Sequence, residues 1–305
     1  MNGGRSRAGR LVVLPVLAGI LLIASACGGG SSTKTASGKK DATIAAEVPA
    51  SIRSKGSVTV ASDASYAPME FFAADNKTID GADVDLGTAI GDVLGIKFNF
   101  VNATFDTIIP GLQSGKFDIG VSSFFDTKER QAKVDMVDYF QAGSAIFVAT
   151  STTQSYTSLD QLCGQAVAAE SGTTQLDDIK AASKTCQSEG KAAIKALSFG
   201  DQNGVNLAVT SGRALAGLAD SEVAAYQTKV TNGKLRFAGE YASPVLYGMA
   251  IPRPTGSAPG SGPMTKAISD ALTKLVGDGT YQKILTKWGI QAGALSTITI
   301  NGATS

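Results

Sequence analysis

A chain of 305 residues, 43% hydrophobic and 17% charged, is long enough to bury two modest cores and is not patterned as a coiled coil or a disordered chain. It has no histidine, which excludes Ser-His-Asp and Cys-His catalysis and any zinc site that needs imidazole. The net charge of +1 includes Arg5, Arg7 and Arg10; without these three, the 27 basic residues fall to 24 against 26 acidic, a net of −2 that points to no nucleic acid.

Residues 1–10 carry those three arginines and no acid, Leu11 to Ala26 is an apolar run, and small residues lead up to Cys27. This is the layout of an export signal, and the run is short for a membrane span. Ala24-Ser25-Ala26-Cys27 resembles the lipobox of bacterial lipoproteins, with Ala24 where Leu is more usual. The resemblance implies an acylated Cys27 and a lipid anchor on the outer face of the cell membrane; an ordinary cleaved signal is the alternative. Residues 1–26 are thus expected to be removed, and residues 27–51, opening on Gly-Gly-Gly-Ser-Ser-Thr-Lys, to form a flexible tether.

Past the tether, Ser57 to Ser62 reads as a strand that ends in the polar loop Asp63-Ala64-Ser65-Tyr66-Ala67-Pro68. Asp83 is placed to cap a helix running to Leu94, with Val84, Ile90, Val93 and Leu94 on one face and Gly95 at its end. Ile96, Phe98 and Phe100 alternate as a strand. Asp106 to Ser114 reads as a helix with Pro110 in its first turn, Gly115 stops it, and Phe117, Ile119 and Val121 alternate as the next strand. This β-α-β-α-β order is the signature of a mostly parallel sheet.

Cys163 and Cys186 are an even pair in an exported chain, so a disulfide is the default and two free thiols the alternative. Around them the plan recurs. Gln165 to Ala169 reads as a strand, Ser171-Gly172-Thr173-Thr174-Gln175 as a turn opening a helix to Lys184, Ile194 to Phe199 as a strand, Asn203 to Ser211 as a helix, and Ala214 to Ala219 as a strand. The segment 112–121 lies over 209–218 at an offset of 97 residues, each with Ser-Gly-basic and then a strand with Gly at the same place. The match is either chance or two similar lobes. Val245 to Ile251 reads as a strand crossing back, followed by a Pro- and Gly-rich loop and helices at Pro263 to Val276 and Thr280 to Trp288, with Trp288 assigned to the core.

Ligands of open α/β sheets bind at carboxyl strand ends. Asp63, Tyr66, Ser122, Ser123 and Arg130 fall there in the first unit, and Glu170, Thr173, Thr174 and Asp220 in the second. Arg130 offers a planar fork of donors to a carboxylate, and the helix start at Thr173 adds backbone N–H groups. Asp220 offers the opposite charge to an ammonium. The set suits a zwitterion.

The same residues carry a family resemblance. Ser62-Asp63-Ala64-Ser65-Tyr66-Ala67-Pro68, Phe105-Asp106, Pro110 to Asp118, Thr127-Lys128-Glu129-Arg130, Ser171 to Gln175, Ala219-Asp220-Ser221, Asp278 to Tyr281 and Lys287-Trp288 together resemble, in order, the family 3 solute-binding proteins of amino-acid ABC importers. The resemblance implies an α/β, two-lobe, type II periplasmic-binding-protein-like fold: lobe 1 from 52–144 and 244–305, lobe 2 from 145–243, each a mostly parallel sheet flanked by helices, joined by a two-strand hinge. It implies that Arg130 and the Thr173 turn hold an α-carboxylate, Asp220 an α-ammonium, Tyr66 and Phe105 sandwich the side chain, and Ser122 adds a hydrogen bond. Phe125 stands where the family usually has Ser or Thr, so one contact to the ammonium is replaced either by Ser123 or by a shifted ligand pose. Asp63 and Glu170 match positions facing the ligand side chain, which favours arginine, lysine or ornithine over a polar neutral amino acid. The implied protein is a monomer that delivers its amino acid to a membrane permease, with no catalysis, cofactor or metal. A ligand-sensing module acting through a separate partner, and an exported dehydratase-like enzyme, are the alternatives.

Overall fold

The computed structural model describes Met1 and residues 38–303. The expected signal segment 1–26, Cys27 and residues 28–37 of the expected tether lie outside the described residues.

The described chain opens with two short helices, α1 (Ala42–Glu47) and α2 (Ala50–Lys55). The tether expected to reach residue 51 is therefore corrected: it ends before Asp41, whose side chain caps α1 by accepting from the amides of Thr43 and Ile44. Ala45 and Val48 are then buried, so these residues belong to the folded body.

β1 (Ser57–Ser62) leads into a small antiparallel sheet of β2 (Ser65–Tyr66), β3 (Glu70–Phe72) and β4 (Ile79–Asp80). Next come α3 (Ala82–Leu94), β5 (Lys97–Asn102), α4 (Phe105–Gln113), β6 (Ile119–Gly120), α5 (Lys128–Gln131) and the long β7 (Asp135–Ala149). The second unit is β8 (Ala166–Glu170), α6 (Thr174–Ser188), β9 (Lys195–Phe199), α7 (Gln202–Thr210), β10 (Ala216–Asp220) and α8 (Ser221–Val230). β11 (Leu235–Ile251) returns, and α9 (Pro263–Gly277) and α10 (Thr280–Trp288) follow.

The eight-stranded sheet has the order β5-β1-β6-β11-β7-β10-β8-β9. In each half the first strand lies between two parallel partners: β1 between β5 and β6, β8 between β9 and β10. Between the two trios run β11 and β7, antiparallel to each other and to their neighbours. The 97-residue offset has a structural counterpart: α4 and α7 have the same length and start 97 positions apart. Gly115 and Gly212 follow them at φ of 74° and 73°, a left-handed backbone that glycine adopts without strain.

Three local expectations are corrected. Asp83 does not cap α3, which starts after Gly81 without a side-chain cap; it lies in the first turn, turned inward and fully buried. Helix α4 begins at Phe105, so Pro110 sits in its second turn, where it deprives the Asp106 carbonyl of its usual N–H partner. The return strand starts at Leu235 rather than Val245.

The larger core joins Val58 and Val60 of β1, Leu86, Ile90 and Val93 of α3, and Ile268, Leu272 and Leu275 of α9. A smaller one, around Val167, Leu176, Ile179 and Leu162, includes Cys186, which is bonded to Cys163 across a sequence separation of 23. The bridge ties α6 to the loop before β8. Replacing both cysteines by serine is expected to lower unfolding free energy by about 3 kcal/mol in a urea titration; an unchanged midpoint and slope would show that the loop constraint contributes nothing.

Two buried carboxylates pin the carboxyl-terminal region. Asp135 at the start of β7 is fully buried and accepts from Arg253 Nε at 3.0 Å, the Gly260 amide at 2.8 Å and Thr265 Oγ1 at 3.0 Å, which holds the 252–262 loop and α9 to the sheet. Asp85 accepts from Trp288 Nε1 at 2.8 Å and Lys287 Nζ at 2.6 Å. Trp288 also meets the edge of Phe71, away from the strand ends.

Candidate functional site

The carboxyl ends of β1 and β6 deliver Asp63, Tyr66, Ser122 and Ser123, and those of β8 and β10 deliver Glu170 and Asp220 from the other half. All ten residues expected from the sequence, including Phe105, Arg130, Thr173 and Thr174, line one narrow cavity; Glu70, Phe125 and Gln175 join them. Arg130 is the only basic side chain on its wall among the described residues.

Arg130 is held in place before any ligand contact. Thr127 caps α5 by accepting the Arg130 amide at 3.3 Å, and the guanidinium lies near the faces of Phe105 and Phe124 at 5.2 and 5.4 Å. Its Nη1 donates to the Phe125 carbonyl at 2.8 Å and its Nη2 crosses to the Gly172 carbonyl at 3.1 Å. Gly172 permits that approach: its φ is 78°, and a Cβ there would come within 3.0 Å of the Asp106 Cα. On the same rim Thr173 caps α6, its Oγ1 donating to the Glu170 carbonyl at 2.7 Å and accepting the Leu176 amide at 3.3 Å. The first amides of α6 have no intrahelical acceptors and carry the positive end of its dipole beside Arg130.

Further contacts span the halves. The Asp220 amide donates to Tyr66 Oη at 2.9 Å, the Gln202 amide to Ser65 Oγ at 3.0 Å, and Ser171 Oγ to Asp106 Oδ2 at 2.9 Å. The Asp220 carboxylate accepts from Gln175 Nε2, and the Tyr247 hydroxyl lies within hydrogen-bond reach of both Asp220 and Glu222, its single proton serving one of them at a time. Ser122 Oγ accepts the Asp63 amide at 2.9 Å and donates to Glu70 at 2.9 Å, so one lone pair is left for a ligand donor. Ser123, at a φ of 48°, gives its amide to Asp83 at 3.1 Å and its hydroxyl to Glu70 at 3.3 Å. Phe125 contributes its carbonyl and a ring packed on Tyr247 rather than a hydroxyl.

The site is strongly acidic. Burial pushes Asp220 up to about 7 despite its donors, and burial with the charge of Asp220 pushes Glu222 up to about 8. Burial lifts Asp83 to about 6, and burial beside Asp83 lifts Glu70 well above the usual carboxylate range. Asp63 and Glu170 are raised by burial too. Burial lowers the Arg130 guanidinium to about 10, against the pull of Asp220. Four buried acids, Asp63, Glu70, Glu170 and Asp220, share the cavity wall with one guanidinium, which leaves the cavity short of positive charge that a cationic ligand would supply.

Sequence reasoning missed Glu70, Asp83, Gln175, Glu222 and Tyr247. Glu70 and Asp83 act from behind Ser122 and Ser123, and Tyr139 Oη, 56 positions along the chain, holds Asp83 at 2.8 Å. Gln175 stood at the edge of the glycine turn, the one signal that pointed toward it.

Residues 58–291 match the bacterial extracellular solute-binding proteins, family 3. The chain belongs to that family. Among curated relatives, the arginine-binding protein ArgT of Corynebacterium glutamicum is 32% identical over 85% of this chain and 82% of its own length. Among solved structures, an ancestral arginine-binding protein bound to arginine superposes with a TM-score of 0.68 at 34% identity, covering 76% of this chain and 98% of that one. The same kind of ancestral protein bound to glutamine gives 0.69 at 32%, covering 77% and 98%. For this family 3 chain the fold is the type II, two-lobe arrangement expected from the sequence, with β7 and β11 as the paired strands between lobes.

Proposed function

We propose that this chain captures an α-amino acid with a cationic side chain, arginine, lysine or ornithine, between two closing lobes and delivers it to the permease of an ABC importer, working without catalysis. The lobes are taken as 52–144 with 244–305, and 145–243. Cys27 is the acylated residue that holds the protein to the outer face of the membrane as a monomer. Arg130 and the start of α6 take the α-carboxylate, Asp220 the α-ammonium, and Tyr66 and Phe105 the side-chain stem. Ser122 and Ser123 add hydrogen bonds, and Asp63 and Glu170 receive the side-chain cation.

The observation that carries this reading is the excess of buried acids over the single guanidinium of Arg130 on the cavity wall. Relatives named for arginine support it. A polar neutral ligand is the second reading, favoured by the ancestral structure bound to glutamine. In a thermal-shift screen, a ligand at 100 times its Kd adds about 2.7 kcal/mol, so arginine, lysine or ornithine is expected to raise the midpoint most. A larger shift with glutamine or glutamate would discard the cationic ligand and keep amino-acid binding; no shift with any amino acid would overturn both.

A further inference from the structure

Asp63 and Glu170 come from opposite halves of the molecule, at the ends of β1 and β8, and are 5% and 3% exposed. Their carboxyl groups meet across the cavity. Asp63 already accepts the Ser65 hydroxyl at 2.7 Å and the Phe105 amide at 3.1 Å. Glu170 Oε1 is buried with no hydrogen-bond partner among the described residues. The titratable groups around the pair are Asp201 at the start of α7, Asp220 at the end of β10, Glu70 on β3 and the Tyr66 phenol, and none brings a positive charge. Arg130 gives one N–H each to the Phe125 and Gly172 carbonyls and has its remaining N–H groups for the α-carboxylate rather than for this pair. Two carboxyls in contact without a cation cannot both ionise at modest cost.

We propose that Asp63 and Glu170 share one proton across the cleft and that a cationic ligand side chain displaces it, so that cation capture releases a proton. This rests on the amino-acid binding function above. The balance is simple: the protonated pair and the ligand cation give two carboxylates bridged by that cation, and the proton goes to solvent. A neutral side chain of the same shape leaves the proton in place and donates to the pair as an ordinary hydrogen-bond partner.

The direction of the pH effect follows. Burial raises both carboxyls, Glu170 well above its usual value, so the pair keeps its proton as pH rises past the ordinary carboxylate range. Below the raised midpoint, protons compete with the cation, and this pair alone lowers arginine affinity, relative to citrulline, by about tenfold per pH unit on acidification; above it the difference levels off.

The test is calorimetric titration of the protein with L-arginine and with L-citrulline, its uncharged isostere, in buffers of different ionisation enthalpy at neutral pH. Arginine is expected to release about one proton more than citrulline. The Asp220–Glu222 group faces the α-ammonium common to both, so its contribution cancels. Equal proton counts would overturn the proposal while leaving amino-acid binding intact. Where citrulline binds too weakly to titrate, Glu170→Gln with arginine decides, or Asp63→Asn should the first variant not fold: a count lower by about one supports the shared proton, and an unchanged count overturns it. No heat and no thermal shift with any amino acid would overturn the binding function itself.

Discussion

Replacing Arg130 by alanine is expected to weaken arginine binding at least about a hundredfold in calorimetric titration. Each hydrogen bond between the guanidinium and a carboxylate is worth about 1.5–3 kcal/mol, and the planar fork makes two. The change also leaves the Phe125 and Gly172 carbonyls without their donors, and the second of these contacts joins the halves. Arg130→Lys is the informative companion. It restores the charge as a single point and is expected to recover only part of the affinity, because lysine cannot bridge two carbonyls and a carboxylate at once. Affinity unchanged in Arg130→Ala would mean that the carboxylate sits elsewhere, and the assignment of roles along the cleft would have to be reversed or abandoned.

Replacing Asp135 by alanine is expected to cost about 3 kcal/mol or more of unfolding free energy, read from urea titration with no ligand present. Asp135 is fully buried, and its loss strands the Arg253 guanidinium, the Gly260 amide and the Thr265 hydroxyl together. Asp135→Asn keeps the shape and one acceptor and should cost less. A loss under about 1 kcal/mol in the alanine variant would show that the 252–262 loop and α9 are held by apolar packing alone.

Much of the fold was legible because its punctuation is local. β1 ends at Ser62 and α10 spans Thr280–Trp288 as read, each bounded by turn residues or by Gly279 and Gly289. β7 was not legible, because a strand buried on both faces loses the period of two, and its buried Asp135 and Asp138 look like surface residues. Helix α8 follows β10 with no intervening turn, and Asp220, its first flanking residue, makes no side-chain cap there. The repeat alone left chance and two lobes both open, and the family resemblance chose between them; in the structure the offset of 97 recurs in α4 and α7 and in the glycines that follow them.

At the site, the ten residues read from strand ends and from the family resemblance all reach the cavity. The residues that escaped notice are those whose partners are distant in sequence. Asp83 resembled a helix cap, yet its hydrogen bonds come from Ser123 and Tyr139. Glu70 carried no sequence signal, yet it lies under Ser122 and Ser123 with no exposed surface. Local pattern can place a backbone element, but it cannot report which carboxylate the fold turns inward.

The pairing of β7 with β11 slips in register between Glu240 and Ala242 and again between Ala242 and Val245, opposite Ser144 and Ala142. Along these few residues the ladder is already interrupted, and it shifts again at Phe237/Gly239 and Tyr247/Gly248, so if the lobes close as proposed, a bend here would disturb few backbone bonds. Little of the free energy of holding a ligand would then go into bending the strands, and it would stay in the contacts with the ligand's α-groups and side chain.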